Sequence, residues 1–305
     1  MRLIGWVARR KLIGLTGRAA RTPRGITGLS ISALVVALAI VGPWLAPHST
    51  TAFVGAPFSR SAADAWLGTD QLGRDVLSRV LAGGRTILVL SALATIVGVA
   101  VGTLLGLVAG YVKGVVDEGI MRVLDVVLAF PQVILALLLV SLVGPRLWLI
   151  CAAVAATHAP QVARVARAAT VQVGEQEFVV YADGLGIPRL RVITGELLPN
   201  IVGPVMVELG LRFTYSIGLI ASLSFLGFGL QPPGADWGLM INENQIGIED
   251  NMWSVLAPIV VIALITVGTN MFTDAIARVV LGVDAVQLEA EADEPGEETV
   301  VAARG

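Results

Sequence analysis

The chain has 305 residues, of which 55% are apolar and only 14% are charged. This balance excludes an ordinary soluble globular protein and is typical of a polytopic membrane protein. The formal net charge of −2 hides an asymmetry, because the tail from Asp284 onward holds seven acidic side chains and one arginine, whereas the remainder holds 20 basic and 16 acidic ones. One cysteine and two isolated histidines do not support a disulfide framework or a metal site.

Six apolar runs are long enough to cross a bilayer core, which takes about 20 helical residues. They cover residues 27–46, 86–110, 120–143, 147–170, 200–228 and 254–281. The sequence therefore predicts an all-α polytopic membrane protein with six transmembrane helices. We divide it into a basic leader (1–26), a transmembrane domain (27–283) and an acidic tail (284–305) whose composition predicts disorder.

The basic leader predicts the orientation of the chain. Seven of its side chains are positively charged, namely Arg2, Arg9, Arg10, Lys11, Arg18, Arg21 and Arg24. The positive-inside rule places this segment in the cytoplasm, and the five later runs favour a signal anchor over a cleaved signal peptide. Counting spans then places residues 171–199 and the C-terminus in the cytoplasm and residues 229–252 outside. We expect a multi-pass protein of the cell membrane.

Glycines recur every fourth position in the second span, at Gly98, Gly102, Gly106 and Gly110. This spacing puts them on one face of a helix, which predicts close packing against another helix. A smooth pore wall would show the same pattern.

A polar segment, Gly174 to Pro199, separates the fourth and fifth runs. Gly184 and Gly186 interrupt it, Pro188 is suited to begin a helix, and Leu198-Pro199 is expected to end that helix before the chain re-enters lipid. The segment is therefore predicted to be helix, turn, helix. Phe178 and Tyr181 offer apolar contacts for a docking partner.

Three further segments have distinctive sequences: WLGTDQLGRDVLSR (66–79), RVLDVVLAFPQ (122–132) and SFLGFGLQPPGADWG (224–238). In the first, Asp70, Arg74 and Asp75 are expected on a solvated outer loop, with an exposed Asp75–Arg79 pair worth about 0.5 kcal/mol. In the second, Pro131 should kink the third span because it removes a backbone donor. In the third, the glycines and prolines should end the fifth helix.

The residue Trp237, at the end of the third of these segments, is expected at the membrane interface, which tryptophan favours.

Together with the spacing of Gly186 and Leu198-Pro199, these segments resemble the permeases of ATP-binding-cassette (ABC) importers, specifically the C-type subunit of dipeptide and oligopeptide systems. The resemblance covers residues from about 28 to 280. It implies that residues 174–199 form a cytoplasmic coupling loop that docks in a groove on a separate ATPase. The coupling residues would be Glu177, Phe178, Tyr181, Ala182, Gly186, Leu198 and Pro199.

The resemblance also implies partners. These are a second permease of similar fold, usually a different chain, one or two ATPase subunits that carry ATP and Mg, and an extracytoplasmic peptide-binding protein. The family usually has Glu-Ala-Ala where this chain has Val180, Tyr181 and Ala182, so the usual glutamate is absent. Glu177, one turn earlier, is a candidate substitute. No cofactor, metal or nucleic acid is expected on this chain.

Charged side chains occur inside the predicted spans. Glu208 and Arg212 lie four residues apart, and each would cost about 2.5–3.5 kcal/mol if it were unpaired near the membrane centre. We expect an intrahelical ion pair that faces the bundle, and a polar lining of a translocation path is the alternative. Asp125 is a further candidate for the path, with Arg122 as its expected partner. His158 is expected to bond a carbonyl freed by Pro160.

The sequence has no phosphate-binding loop, no H-E-x-x-H or G-x-S-x-G motif and no catalytic Ser/His/Asp order, so the chain is not expected to be an enzyme. The favoured function is a permease subunit of an ATP-driven peptide importer. Two alternatives stay open, a permease for a metal chelate or other small solute and an ATPase-independent secondary transporter. The second would be expected to show matched halves, which the sequence does not.

Overall fold

The structure is a computed structural model that describes residues 14–61 and 64–282. The acidic tail and the first 13 residues of the basic leader lie outside these ranges. Within them, a helical stretch over residues 14–19 precedes a series of longer and shorter helices. They are α1 (Pro23–Leu45), α2 (Val76–Ala82), α3 (Gly84–Val112), α4 (Gly114–Leu128), α5 (Gln132–Val143), α6 (Leu147–Gly174), α7 (Glu177–Gly184), α8 (Arg189–Val192), α9 (Leu198–Asn200), α10 (Val202–Phe225), α11 (Trp237–Asn244) and α12 (Trp253–Leu281).

The predicted all-α membrane architecture is confirmed. Five helical segments in the described residues are long and apolar enough to cross a membrane, namely Pro23–Leu45, Val76–Val112, Leu147–Gly174, Val202–Phe225 and Trp253–Leu281. The helices α4 and α5, which meet at a bend of 86°, give a sixth span when the bent pair is counted as one. The predicted kink at Pro131 is thus confirmed, because α4 ends at Leu128 and Pro131 caps the start of α5.

The central contact of the bundle is between α3 and α6, and the predicted packing role of the four glycines is confirmed. A Cβ atom on Gly102 would lie 2.5 Å from the carbonyl oxygen of Ala159, and one on Gly106 would lie 2.5 Å from that of Ala163. Gly98 and Gly110 make the corresponding contacts one turn earlier and later. The two backbones therefore touch along four turns, at a separation that only glycine permits.

The bundle has two ends, which we call the loop end and the cap end. The loop end carries residues 175–201, between α6 and α10. The cap end carries α2, α11 and the segment before α2. At the cap end Trp237 is fully buried, lies against Gly83 and Gly84, and donates its indole N–H to the carbonyl of Val80 at 2.9 Å. Trp237 is therefore enclosed by protein and helps to hold the cap together.

A buried ion-pair cluster holds the cap together, and it corrects the expectation of a solvated outer loop. The Arg79 guanidinium, with no exposed surface, donates to the carboxylates of Asp70 and Glu243, the latter at 2.8 Å. Arg74 reaches the same two carboxylates at 2.6 Å and 3.0 Å. Asp75 does not pair with Arg79, because its carboxylate instead caps α2 through the N–H groups of Leu77 and Ser78.

The four charges of this cluster come from two distant parts of the sequence. Asp70 and Arg74 precede α2 and Arg79 lies on it, at the start of the second span, whereas Glu243 lies on α11. Paired burial of both signs avoids the penalty of an isolated buried charge. The cluster therefore fastens α11 to the start of the second span.

Replacing Gly106 with alanine should destabilise the protein. The new Cβ would lie 2.5 Å from the oxygen of Ala163 and 2.6 Å from the Cβ of Ala166, so α3 and α6 must separate, at a cost of roughly 1–3 kcal/mol. Gly119→Ala on α4 is the matched control, since its Cβ would meet open space. Thermal unfolding in detergent should show a lower midpoint for the first variant alone. Equal midpoints would contradict the proposed role of the contact.

Replacing Glu243 with glutamine should cost about 3–5 kcal/mol, because two buried arginines are then left with one carboxylate. The exposed Glu249→Gln is the control. We expect a large loss of thermal stability in the first variant and almost none in the second. A Glu243→Gln protein as stable as the parent would show that Asp70 alone compensates both arginines.

Candidate functional site

The loop between α6 and α10 begins with α7 and turns at Gly186. Gly186 has a φ of +72°, in the left-handed region that favours glycine. Its N–H bonds the carbonyl of Asp183 at 3.0 Å, and the N–H of Ile187 bonds that of Ala182 at 3.2 Å. This pair of bonds is a Schellman motif, which satisfies the last carbonyls of α7 and redirects the chain. Pro188 then caps α8.

The second half of the loop differs from the sequence prediction that Leu198-Pro199 ends a helix. The backbone stays helical from Arg189 through a π-helical turn, Ile193–Leu197, and on through α9 to Asn200. The N–H of Leu198 bonds the carbonyl of Ile193, five residues earlier. This wider turn precedes Pro199, which has no N–H to donate, so the helical path continues past the proline. The break comes later, at Ile201, before α10.

One side of the loop is docked on the bundle. Val179, Ala182, Val192 and Leu197 pack in a buried cluster with Leu107 of α3 and Ala166 of α6. Leu198 lies against the same cluster, and Pro199 is also buried. Of the predicted coupling residues, Ala182, Leu198 and Pro199 therefore position the loop.

The opposite side of the loop is an exposed apolar surface. The exposed fractions are 43% for Phe178, 71% for Tyr181, 79% for Leu185 and 73% for Leu190. Glu177 lies in the first turn of α7, where the helix dipole favours a negative charge. Phe178 and Tyr181 thus sit where a partner could reach them, and Leu185 and Leu190 extend the same surface.

A hydrogen bond between Tyr111 and Asp183 ties the loop to the end of α3. The Tyr111 hydroxyl donates to the Asp183 carboxylate at 2.6 Å. Both residues line a cleft of about 420 Å³ together with Val112, Gly186, Ile187, Pro188 and Arg189. Sequence reasoning missed Tyr111, whose only signal was its place at the end of an apolar run. Its partner lies 72 residues further along the chain.

The intrahelical ion pair predicted on α10 is present. Arg212 donates through Nε to Glu208 at 2.9 Å, and both side chains are about 10% exposed. The guanidinium also donates through Nη1 to Gln161 of α6 and lies 5.2 Å from the ring centre of Tyr215. The pair thus links α10 to α6, as expected for charges that face a bundle rather than lipid.

Two other partner assignments were wrong. Asp125 pairs with Arg164 of α6 at 2.5 Å, whereas Arg122 pairs with Glu118. The three proposed path residues therefore form no single hydrogen-bonded cluster, since Asp125 lies on α4 and bonds elsewhere. His158 does not bond a carbonyl freed by Pro160. Its Nε2 lies 3.0 Å from the Ser216 hydroxyl, which in turn lies 2.9 Å from that of Thr95.

No three His, Cys, Asp or Glu side chains in the described ranges converge on a point that could hold a metal ion. Outside the spans, burial raises the pKa of the Asp236 carboxyl, although the N–H of Leu239, the Ser224 hydroxyl and the N–H of Gly238 lower it. Asp236 is the cap of α11, where its carboxylate accepts those two N–H groups. Its environment is that of a structural cap.

The fold and these sites define an all-α membrane-spanning protein with a docked polar loop between two spans. A family described as the inner membrane component of binding-protein-dependent transport systems matches residues 102–281. The chain belongs to this family, whose members are permeases within larger transport complexes.

Several curated relatives have similar sequences over most of their length. The chain is 35% identical to the dipeptide transport system permease protein DppC of Alkalihalophilus pseudofirmus, over 82% of this chain and 83% of that protein. It is 33% identical to DppC of Bacillus subtilis, over 85% and 82%. It is 35% identical to the glutathione transport system permease protein GsiD of Escherichia coli O6:K15:H31, over 85% and 86%.

Proposed function

We propose that this chain is the transmembrane permease subunit of an ATP-driven importer for di- and oligopeptides. The observation that carries the proposal is the loop between α6 and α10, which is fastened to the bundle on one side and exposes Phe178, Tyr181, Leu185 and Leu190 on the other. A polar loop with an apolar outer face is suited to docking a soluble subunit. The relatives named for dipeptide and glutathione transport support a peptide substrate.

In this proposal the loop end faces the cytoplasm and the cap end faces outward. The loop docks on an ATPase subunit, which supplies ATP and Mg, while a binding protein delivers the peptide at the cap end. The basic leader and the lack of Lys and Arg in residues 229–252 support this orientation. A second permease, a different chain of similar fold, completes the membrane portion.

The path for the peptide runs along α10, with Glu208 and Arg212 as candidate lining residues and Asp125 as a further one on α4. Closure of the ATPase dimer on ATP would move the docked loop, and with it α6 and α10, which flank the loop directly. Coupling is then a two-state equilibrium between inward-open and outward-open forms that nucleotide biases.

Co-purification tests the class of transporter. The tagged chain, expressed with its neighbouring subunits and extracted in mild detergent, should bring down a phosphate-loop ATPase. It should also support uptake of labelled di-, tetra- or hexapeptides that stops when ATP is depleted. Uptake without any ATPase would indicate a secondary transporter, and ATP-driven uptake of a metal chelate in place of peptides would indicate another substrate class.

Replacing Gly186 with valine should uncouple ATP hydrolysis from transport. A branched side chain at a φ of +72° costs roughly 1–2 kcal/mol, although a Cβ there meets no atom, so the strain reshapes the turn without a clash. Gly184→Val is the control, because Gly184 is the last residue of α7 and also faces open space. We expect at least a tenfold fall in peptide imported per ATP hydrolysed for the first variant only.

Both variants should insert and assemble normally, which size-exclusion chromatography of the complex would verify. Equal coupling ratios in the two variants would show that the Gly186 turn has no part in transmission.

A further inference from the structure

The Arg212 side chain has donor capacity that the protein does not use. Its guanidinium carries five N–H groups. Nε donates to Glu208 and Nη1 to Gln161, whereas no acceptor among the described residues bonds Nη2. Some polar atoms of the described residues are fully buried and have no hydrogen-bond partner, but Nη2 is not one of them. It therefore keeps some exposed surface and is open to an incoming group.

An exposed stretch of α10 lies next to Arg212. Tyr215, three residues further along, is 55% exposed, and Gly218, another three residues along, is exposed as well. Gly218 and Ser222 also line one edge of a groove of about 640 Å³, whose other walls are mainly apolar side chains of α10, α11 and α12. Arg212 is not part of that groove and lies one helical turn before the exposed stretch.

The guanidinium is also held rigidly in place. The Glu208 carboxylate and the Gln161 carbonyl oxygen fix two of its nitrogens, and the Tyr215 ring lies 5.2 Å from its central carbon. A guanidinium held in this way is preorganised to accept a second carboxylate, because its planar fork matches carboxylate geometry. Glu208 keeps the charge compensated while the site is empty, which avoids the penalty of an unpaired cation in the membrane.

We propose that Arg212 binds the terminal carboxylate of the transported peptide during its passage, with Glu208 and Gln161 as positioning residues. The inference rests on the proposed peptide-import function and adds the chemical group that the membrane subunit recognises. A peptide whose C-terminus is amidated lacks that group and should bind less tightly. This recognition of the carboxylate by Arg212 is a separate step from the choice of peptide by the binding protein, which comes earlier.

The test measures peptide binding to the purified complex without its binding protein. A fluorescent tripeptide with a free C-terminus and the same tripeptide as its C-terminal amide are titrated in parallel. The wild-type complex should bind the free acid at least tenfold more tightly. Arg212→Gln should bring the two affinities together by weakening the acid and leaving the amide unchanged. Arg212→Lys should restore only part of the preference, since it keeps the charge and loses the fork.

Arg122→Gln is the matched control, because Arg122 also forms an i,i+4 ion pair but lies exposed on α4 with Glu118. It should keep the wild-type preference. Since Arg212→Gln leaves Glu208 without its cation, the double variant Glu208→Gln/Arg212→Gln gives a second measurement in which no buried charge is left over. It should also show equal affinities.

Two outcomes overturn the inference: a wild-type complex that binds acid and amide alike, or an unchanged preference in the Arg212→Gln and double variants. Failure of the proposed function itself would look different, because the wild-type importer would then take up no peptide of any form. If the importer takes up peptide and the variants still bind the free acid more tightly than the amide, Arg212 does not have the proposed role. The importer function would then still stand.

Discussion

The backbone contact between α3 and α6 is the constraint on which the other features depend. Four glycines let the helices touch, so the ends of both helices are fixed relative to each other at the loop end. There Leu107 of α3 and Ala166 of α6 form the platform on which the loop packs, and Tyr111 adds a hydrogen bond. Because the loop's inner side is held by these rigid helices, its exposed apolar side has a defined position.

Hydrogen bonds between polar side chains inside the bundle also connect α6 to α10. Gln161 and His158 of α6 lie one turn apart and bond Arg212 and Ser216 of α10, respectively. The two helices that flank the loop in sequence are therefore also joined inside the bundle. A displacement of the loop would act on both at once, and Arg212 lies at their junction. The same contacts thus place the candidate substrate group on the elements that the loop would move.

Much of this architecture follows from local patterns in the sequence. The apolar runs, the break at Pro131, the glycine face of α3 and the pair on α10 each depend on residues within a few turns of one another. The errors share the opposite property. Asp125 and His158 find their partners on other helices, and the periodicity of apolar residues within one span does not show which neighbouring helix a face contacts. The helix predicted to end at Leu198-Pro199 ends one residue later, at Asn200, because a π-helical turn bypasses the missing donor of Pro199.

The charge cluster at the cap end has a consequence for biosynthesis. Asp70 alone faces two arginines until Glu243 is made, 164 residues after Arg79. At translation rates of about 5–20 residues per second, the nascent chain carries an uncompensated positive charge there for roughly 10–30 s. Arrival of α11 neutralises it and buries Trp237 in the same step. Neutralisation of the cluster thus marks that α11, which precedes the last span in the chain, has reached its place.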